Sequence, residues 1–261
     1  MSRKLLIPVV AVAALVVLGA AGAYAYFFSS LRTAPPQLAL TSPSATASAS
    51  ASSTSGAAGS GTWVVGSGSL AGYRVTEQFV GQSSSHEAVA RTGAVSGQLT
   101  ITQSGSGYQL TSGKITVQLS GLASVDSVAG YNVTNRDRIV QRSLDVQSYP
   151  TAVFEAEGVT LPAEAGSGQA VTVSAPGRLT IHGVTKNVTA TLQLRVSGDT
   201  AQLAGTIATN MTDFGVSPPT IGFTTVQPAA FGYVRCCASL GHSRLCRPQR
   251  SHPLPASNPL C

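Results

Sequence analysis

Only 10% of the 261 residues in this chain are charged, so the side chains able to do chemistry stand out against a background rich in Gly, Ala, Ser, Thr and Val. His86 is followed by Glu87, and His182 falls between Ile181 and Gly183. Arg136 and Asp137 are neighbours, and Arg74 and Arg91 are isolated cations of the kind that orients a phosphate or a carboxylate. Cys236, Cys237, Cys246 and Cys261 all lie in the last 26 residues. A histidine beside a carboxylate can move protons, and thiols can pair or bind metal. Each residue also has a plainer role. His182 reads as a solvated residue on the wet side of a turn, Arg136 and Asp137 as a structural ion pair, and Lys186 as an ordinary surface charge.

Spacing argues against catalysis. The chain has no Gly-x-Ser-x-Gly, no P-loop, no His-Glu-x-x-His and no Gly-x-Gly-x-x-Gly leading into a helix. Zinc wants two well-spaced ligand pairs, which adjacent Cys236 and Cys237 with stray His242 and His252 do not supply. Neither a metal nor a cofactor is expected. The formal charge of +6 comes from the two ends, because residues 62–230 hold nine Lys/Arg against all ten Asp/Glu. These cations are scattered and not interleaved with aromatics, so a nucleic-acid face is not expected.

The elements that must position these groups follow from hydropathy. After a short stub, residues 1–4, the stretch 5–28 has no charged residue, and its 24 residues would span about 36 Å as a helix. With Arg3 and Lys4 before it, it reads as a transmembrane anchor that leaves the rest outside the cytoplasm. A signal peptide cleaved at Ala21-Gly22-Ala23 or Ala23-Tyr24-Ala25 is the alternative. Residues 29–61, dominated by Ser, Ala, Thr, Gly and Pro, read as a disordered linker. From residue 62 to 230, short segments alternate apolar and polar residues, as in Leu99-Thr100-Ile101 and Ile115-Thr116-Val117-Gln118-Leu119. Many such half-buried strands predict a sandwich or an up-and-down barrel. Asp126 to Leu144 instead shows helical steps, with Asp126 as the cap, and a helix there would cover one mouth. Residues 231–261 show no period and are expected to be a disordered tail. Phe231 to Val234 is too short for a closing strand, so the last strand is expected to be missing, with the cysteines outside the strands. Asn132, Asn187 and Asn210 match glycosylation sequons, which matter only in a eukaryotic secretory route.

The longest pattern runs from Gly177 to Lys186 and on through Asn187-Val-Thr-Ala-Thr-Leu-Gln-Leu-Arg-Val. Val188, Ala190, Leu192, Leu194 and Val196 alternate with polar residues, and Leu179 and Ile181 keep the same phase before a turn at Gly183. Gly-Arg-Leu-Thr-Ile-His-Gly-Val-Thr-Lys resembles the signature hairpin of the YceI-like family. Arg136-Asp137, then Leu144-Asp145-Val146, then Tyr149-Pro150 and the strand with Phe154 resemble a second signature. Thr212-Asp213-Phe214-Gly215-Val216 resembles a third. The three matches keep family order across residues 62–230. The chain departs from the family at Glu77, where a histidine usually follows the strand, and His86 comes nine residues later.

The resemblance implies an all-β, lipocalin-like antiparallel barrel of about eight strands whose interior takes a polyisoprenoid or another long-chain lipid. Phe79, Leu99, Ile101, Val117, Leu119, Phe154, Leu192 and Leu194 are then the candidate lumen contacts, although the same parity would serve a filled core. Arg74, Arg136 and Asp137 are the candidate head-group contacts at a mouth. The function expected is an extracytoplasmic lipid carrier with no enzymatic activity. The alternative is a surface or adhesion module with a filled core, and periodicity does not decide between the two.

Overall fold

The computed structural model describes residues 15–19, 32–40, 60–80, 85–128, 132–221 and 224–240. Alternation becomes antiparallel strands: β1 (Gly61–Val65), β2 (Leu70–Phe79), β3 (His86–Thr92), β4 (Val95–Ser104) and β5 (Gly107–Gln118) come before the helix α1 (Val133–Ser143). After it come β6 (Thr151–Ala156), β7 (Val171–Ile181), β8 (Val184–Ser197), β9 (Thr200–Asn210) and β10 (Thr224–Leu240). β1 and β2 act as one stave of the barrel, bent at residues 66–69, and β3 and β4 as another, bent at Gly93 and Ala94. At the first bend the Ser69 hydroxyl donates to the Gly66 carbonyl at 2.8 Å and accepts from the Cys237 N–H at 3.2 Å, so the stave stays joined to β10.

The staves pair in sequence order and close into an eight-stranded antiparallel barrel, the fold the resemblance implies. Closure is made by β10, which pairs β9 along Ala229–Ser239 on one side and β2, then β1, on the other. The last strand is therefore present, and the expectation that it is missing is corrected. Its inward residues are small: Ala230, Gly232, Val234, Cys236 and Ala238, while the bulky Phe231 and Tyr233 lie on the alternate phase. An inward row of small residues lacks the large apolar signal by which strands are recognised. Cys236 is fully buried and behaves as a small hydrophobe, with burial pushing its thiol up to about 12. Pro228, which cannot donate a ladder hydrogen bond, sits where the β2–β10 register shifts between Val226 and Ala230.

The longest connection between neighbouring staves, from β5 to β6, carries α1 across one end of the barrel. Its cap is Asn132, whose side chain accepts from the Thr134 N–H at 3.0 Å, and not Asp126. Asn210 likewise accepts from the Thr212 N–H at 3.1 Å, so two of the three sequon asparagines serve as local caps. The β7–β8 turn has φ of 51° at His182 and 73° at Gly183, the left-handed pair of a type I′ hairpin. His182 is not simply solvated. Its ring packs edge-on to Tyr149 at 4.9 Å, and its Nδ1 lies 3.3 Å from the Phe214 carbonyl.

Within the interval read as a linker, residues 32–40 rest on the barrel. Arg32–Thr33 pairs antiparallel with Ser127–Val128. The Pro35 carbonyl accepts from Arg74 Nη2, and the Pro36 carbonyl accepts from Arg91 Nη2 at 2.8 Å. Paired prolines are already extended, so ordering them costs little entropy. That is the physical reason a segment without hydrophobic period is bound. Of the stretch 5–28, residues 15–19 are described, as helix, and among the described residues no helix is long and apolar enough to cross a membrane. The stub 1–4, the rest of that stretch and the tail beyond Leu240 lie outside the described residues.

Candidate ligand cavity

Inward side chains of the staves surround a cavity of about 260 Å³. Of the residues read as lumen contacts, Leu99 and Ile101 on β4, Val117 on β5, Leu119 just after it, Phe154 on β6, and Leu192 and Leu194 on β8 all line it. Phe79 does not. It is buried at the end of β2, with its ring centroid 6.4 Å from that of His86. At the end away from α1 the interior is filled around Trp63, which is fully buried in the main core cluster. At the other end Ile139, Val140 and Leu144 of α1 and its C-terminal turn close over the cavity, joined by Phe214 and Val216. These last two were legible only as part of a motif, because their segment has no strand or helix period.

The lining is mostly apolar; Thr209 and Tyr233 border it, and near α1 Tyr73, Glu77, Arg136 and Ser143 reach the cavity. There Arg136 is only 3% exposed and is ringed by acceptors. It donates to Glu77 at 3.0 Å, to Asp126 through Nη2, and to the Ser124 hydroxyl from Nε at 3.2 Å and Nη2 at 2.9 Å. Asp126 also accepts from the Val89 N–H at 2.9 Å and lies 2.7 Å from His86 Nε2. Glu77 and His86 are direct cross-strand partners on β2 and β3. The histidine nine residues after Glu77 therefore stands opposite it, in one cluster with it. A hairpin register pairing 77 with 86 was the signal available in the sequence.

Electrostatics separate the two acids. Burial pushes the Glu77 carboxyl above the ordinary glutamate value and outweighs the lowering by Arg136. Burial works on Asp126 in the same direction. Yet the hydrogen bonds from His86, the Val89 N–H and Arg136, with the charge of Arg136, hold it below its ordinary value. For Arg136, burial disfavours the charge, but Glu77 and Asp126 more than offset this and keep it a cation. Burial also raises the Tyr73 phenol. The cavity thus ends in a neutral phenol and a guanidinium already committed to two acids.

Two of the three head-group candidates stand elsewhere. Arg74 points away from the cavity, in the phase opposite to Tyr73, Val75 and Glu77, and pairs with Glu87 under Pro35. Asp137 is turned to Ser124, accepting from its N–H at 3.0 Å and its hydroxyl at 2.5 Å. Arg91 is also outside, donating to the Tyr233 hydroxyl at 3.1 Å with its guanidinium 5.8 Å from that ring's centroid. Strand parity places Arg74 on the outside, and its charge alone did not reveal that.

The sequence model of the YceI-like domain family matches residues 67–229. Among solved structures, a polyisoprenoid binding domain from Saccharophagus degradans implicated in plant cell wall breakdown aligns at 13% identity with a TM-score of 0.50, covering 69% of this chain and 98% of that one. Burkholderia cenocepacia BcnA aligns at 17% identity with a TM-score of 0.44, covering 64% of this chain and 96% of that one. No curated protein matches the chain in sequence.

Proposed function

This chain belongs to the YceI-like domain family, and we propose that it is an extracytoplasmic carrier holding one slender apolar chain, of polyisoprenoid type, inside its barrel. The observation that carries this reading is the cavity itself: about 260 Å³, lined mainly by aliphatic side chains with Phe154 and Phe214, and with its charged groups, Glu77 and Arg136, beneath α1. An apolar chain in such a lumen leaves water at about 0.8 kcal/mol per CH₂ buried. Its polar end would turn toward Tyr73 and Arg136, a stretch of wall that can meet a hydroxyl or a phosphate. Arg136 is retained here as a head-group contact, while Arg74 and Asp137 are not. The stretch 5–28 is the membrane anchor in this reading, with secretion after cleavage as the alternative. The activity is binding and release, not catalysis. The surface-module alternative requires a barrel filled to its axis, which the open lumen does not favour.

The test is organic extraction of the purified full chain, followed by mass spectrometry, together with uptake of long-chain fluorescent probes. Leu192→Trp and Val117→Trp each put an indole into the lumen. The expected result is a co-purifying long-chain lipid that both variants lose while keeping the wild-type circular dichroism. Recovery of no lipid and no binding of long-chain probes would overturn the proposal, as would unchanged uptake by both variants.

A further inference from the structure

The bound segment 32–40 fixes more than its own path. Arg32 pairs with Val128, which precedes the Asn132 cap of α1 by four residues, and Asp126 in the same strip holds Arg136 of α1. The first paired residue of the segment is therefore joined to the helix-covered end of the barrel. Only residues 29–31 separate it from the apolar stretch 5–28, and four Cα steps reach at most about 14 Å. The span of chain between the apolar stretch and its first pairing on the barrel is therefore much shorter than the whole interval 29–61.

The two ends of the barrel also differ in surface. At the covered end, Arg138 and Arg142 lie on the exposed side of α1, Lys186 follows the β7–β8 turn, and Val80 and Tyr149 are exposed large hydrophobic residues. The acids nearby are exposed Asp213, half-buried Asp145 and half-buried Asp137, the last turned to Ser124, with Glu87 paired to Arg74. The far end instead presents exposed Glu157, Glu164 and Asp199 beside exposed Leu240, with half-buried Arg195 and Arg235. Cations interleaved with a tyrosine and an aliphatic residue suit the head-group layer of an anionic bilayer, and a cluster of carboxylates does not.

We propose that the helix-covered end of the barrel is a bilayer-facing surface, held against an anionic membrane by the segment 32–40 so that α1 and the end of the cavity beneath it face the lipid. This rests on the reading of 5–28 as an anchor. The partner is the lipid surface itself.

The test places an environment-sensitive fluorescent amino acid at Asn135 on α1 and, separately, at Ser106 in the β4–β5 turn at the far end. The full chain is reconstituted into phosphatidylcholine–phosphatidylglycerol vesicles carrying a head-group quencher. Strong quenching at Asn135 and little at Ser106 is the expected result. A chain that floats with the vesicles but is quenched equally at both sites, or more at Ser106, overturns the orientation and leaves the anchor standing. A chain that does not float overturns the anchor and the orientation together. Replacing residues 34–40 by a Gly-Ser stretch of equal length leaves every barrel residue in place, and should reduce the difference between the sites several-fold. An unchanged difference removes the segment from the explanation.

Discussion

Arg136 sets the energetics of the covered end. A guanidinium 3% exposed and bonded to two carboxylates is expensive to remove, because both acids are then left buried without their cation. Arg136→Met is expected to cost about 3–5 kcal/mol in chemical denaturation. The two acids should respond oppositely to pH. The folded-state pKa of Glu77 lies above its ordinary 4.5, so its contribution is whole below that pH and is lost as the pH rises through the raised value. That of Asp126 lies below its ordinary 3.8, so its contribution is whole above that pH and is lost as the pH falls through the depressed value. Melting temperatures across acid to neutral pH check this. Relative to Glu77→Gln, the wild-type chain should lose stability as the pH rises, whereas its advantage over Asp126→Asn should shrink only in acid below 3.8. At this scale the sequence was partly legible. It singled out Arg136 and Asp137, but assigned Asp126 to a helix cap, because no local pattern reveals that a residue will be drawn to a cation ten positions on.

The β7–β8 ribbon and β10 show what an element needs from its residues. In the ribbon, Ala190, Leu192, Leu194 and Val196 are all buried, as strict alternation predicts. Its turn depends on Gly183, where a Cβ would meet the left-handed backbone penalty and stand 2.6 Å from the Tyr149 ring. Gly183→Ala is expected to destabilise by about 1–2 kcal/mol from the backbone alone, read as a lower denaturation midpoint. β10 was not legible, because Ala, Gly and Cys fill its inward row while Phe231 and Tyr233 are turned outward. Its two thiols report on its closure. Cys236 is buried, with burial raising its pKa to about 12, and Cys237 is partly exposed. Alkylation followed by peptide mass spectrometry should label Cys237 in the native chain and Cys236 only after unfolding. Equal native rates would mean that the strand is not closed on its neighbours.

For the molecule as a whole, the prediction concerns closure. A chain ending at Ala230 would lose the pairing of β9 with β10 over residues 231–239 and expose two strand edges and part of the apolar lining. With residues 1–31 removed from both, it should aggregate, while a chain ending at Leu240 should stay soluble and melt cooperatively. Equal solubility of the two would contradict the part assigned to β10. The sequence by itself determined the strand phase, the family motifs and the inward parity of Leu99, Ile101, Val117, Phe154, Leu192 and Leu194, since a period of two is a local property of the chain. Tertiary structure alone decided that the interior stays open around those residues and that Phe79 falls outside the opening. It also decided that Arg74 meets Pro35 on the outer wall, that Glu77 faces His86, and that small residues complete the ring. Each of these depends on groups distant in the chain arriving at one place, and volume, burial and pairing exist only once they have arrived.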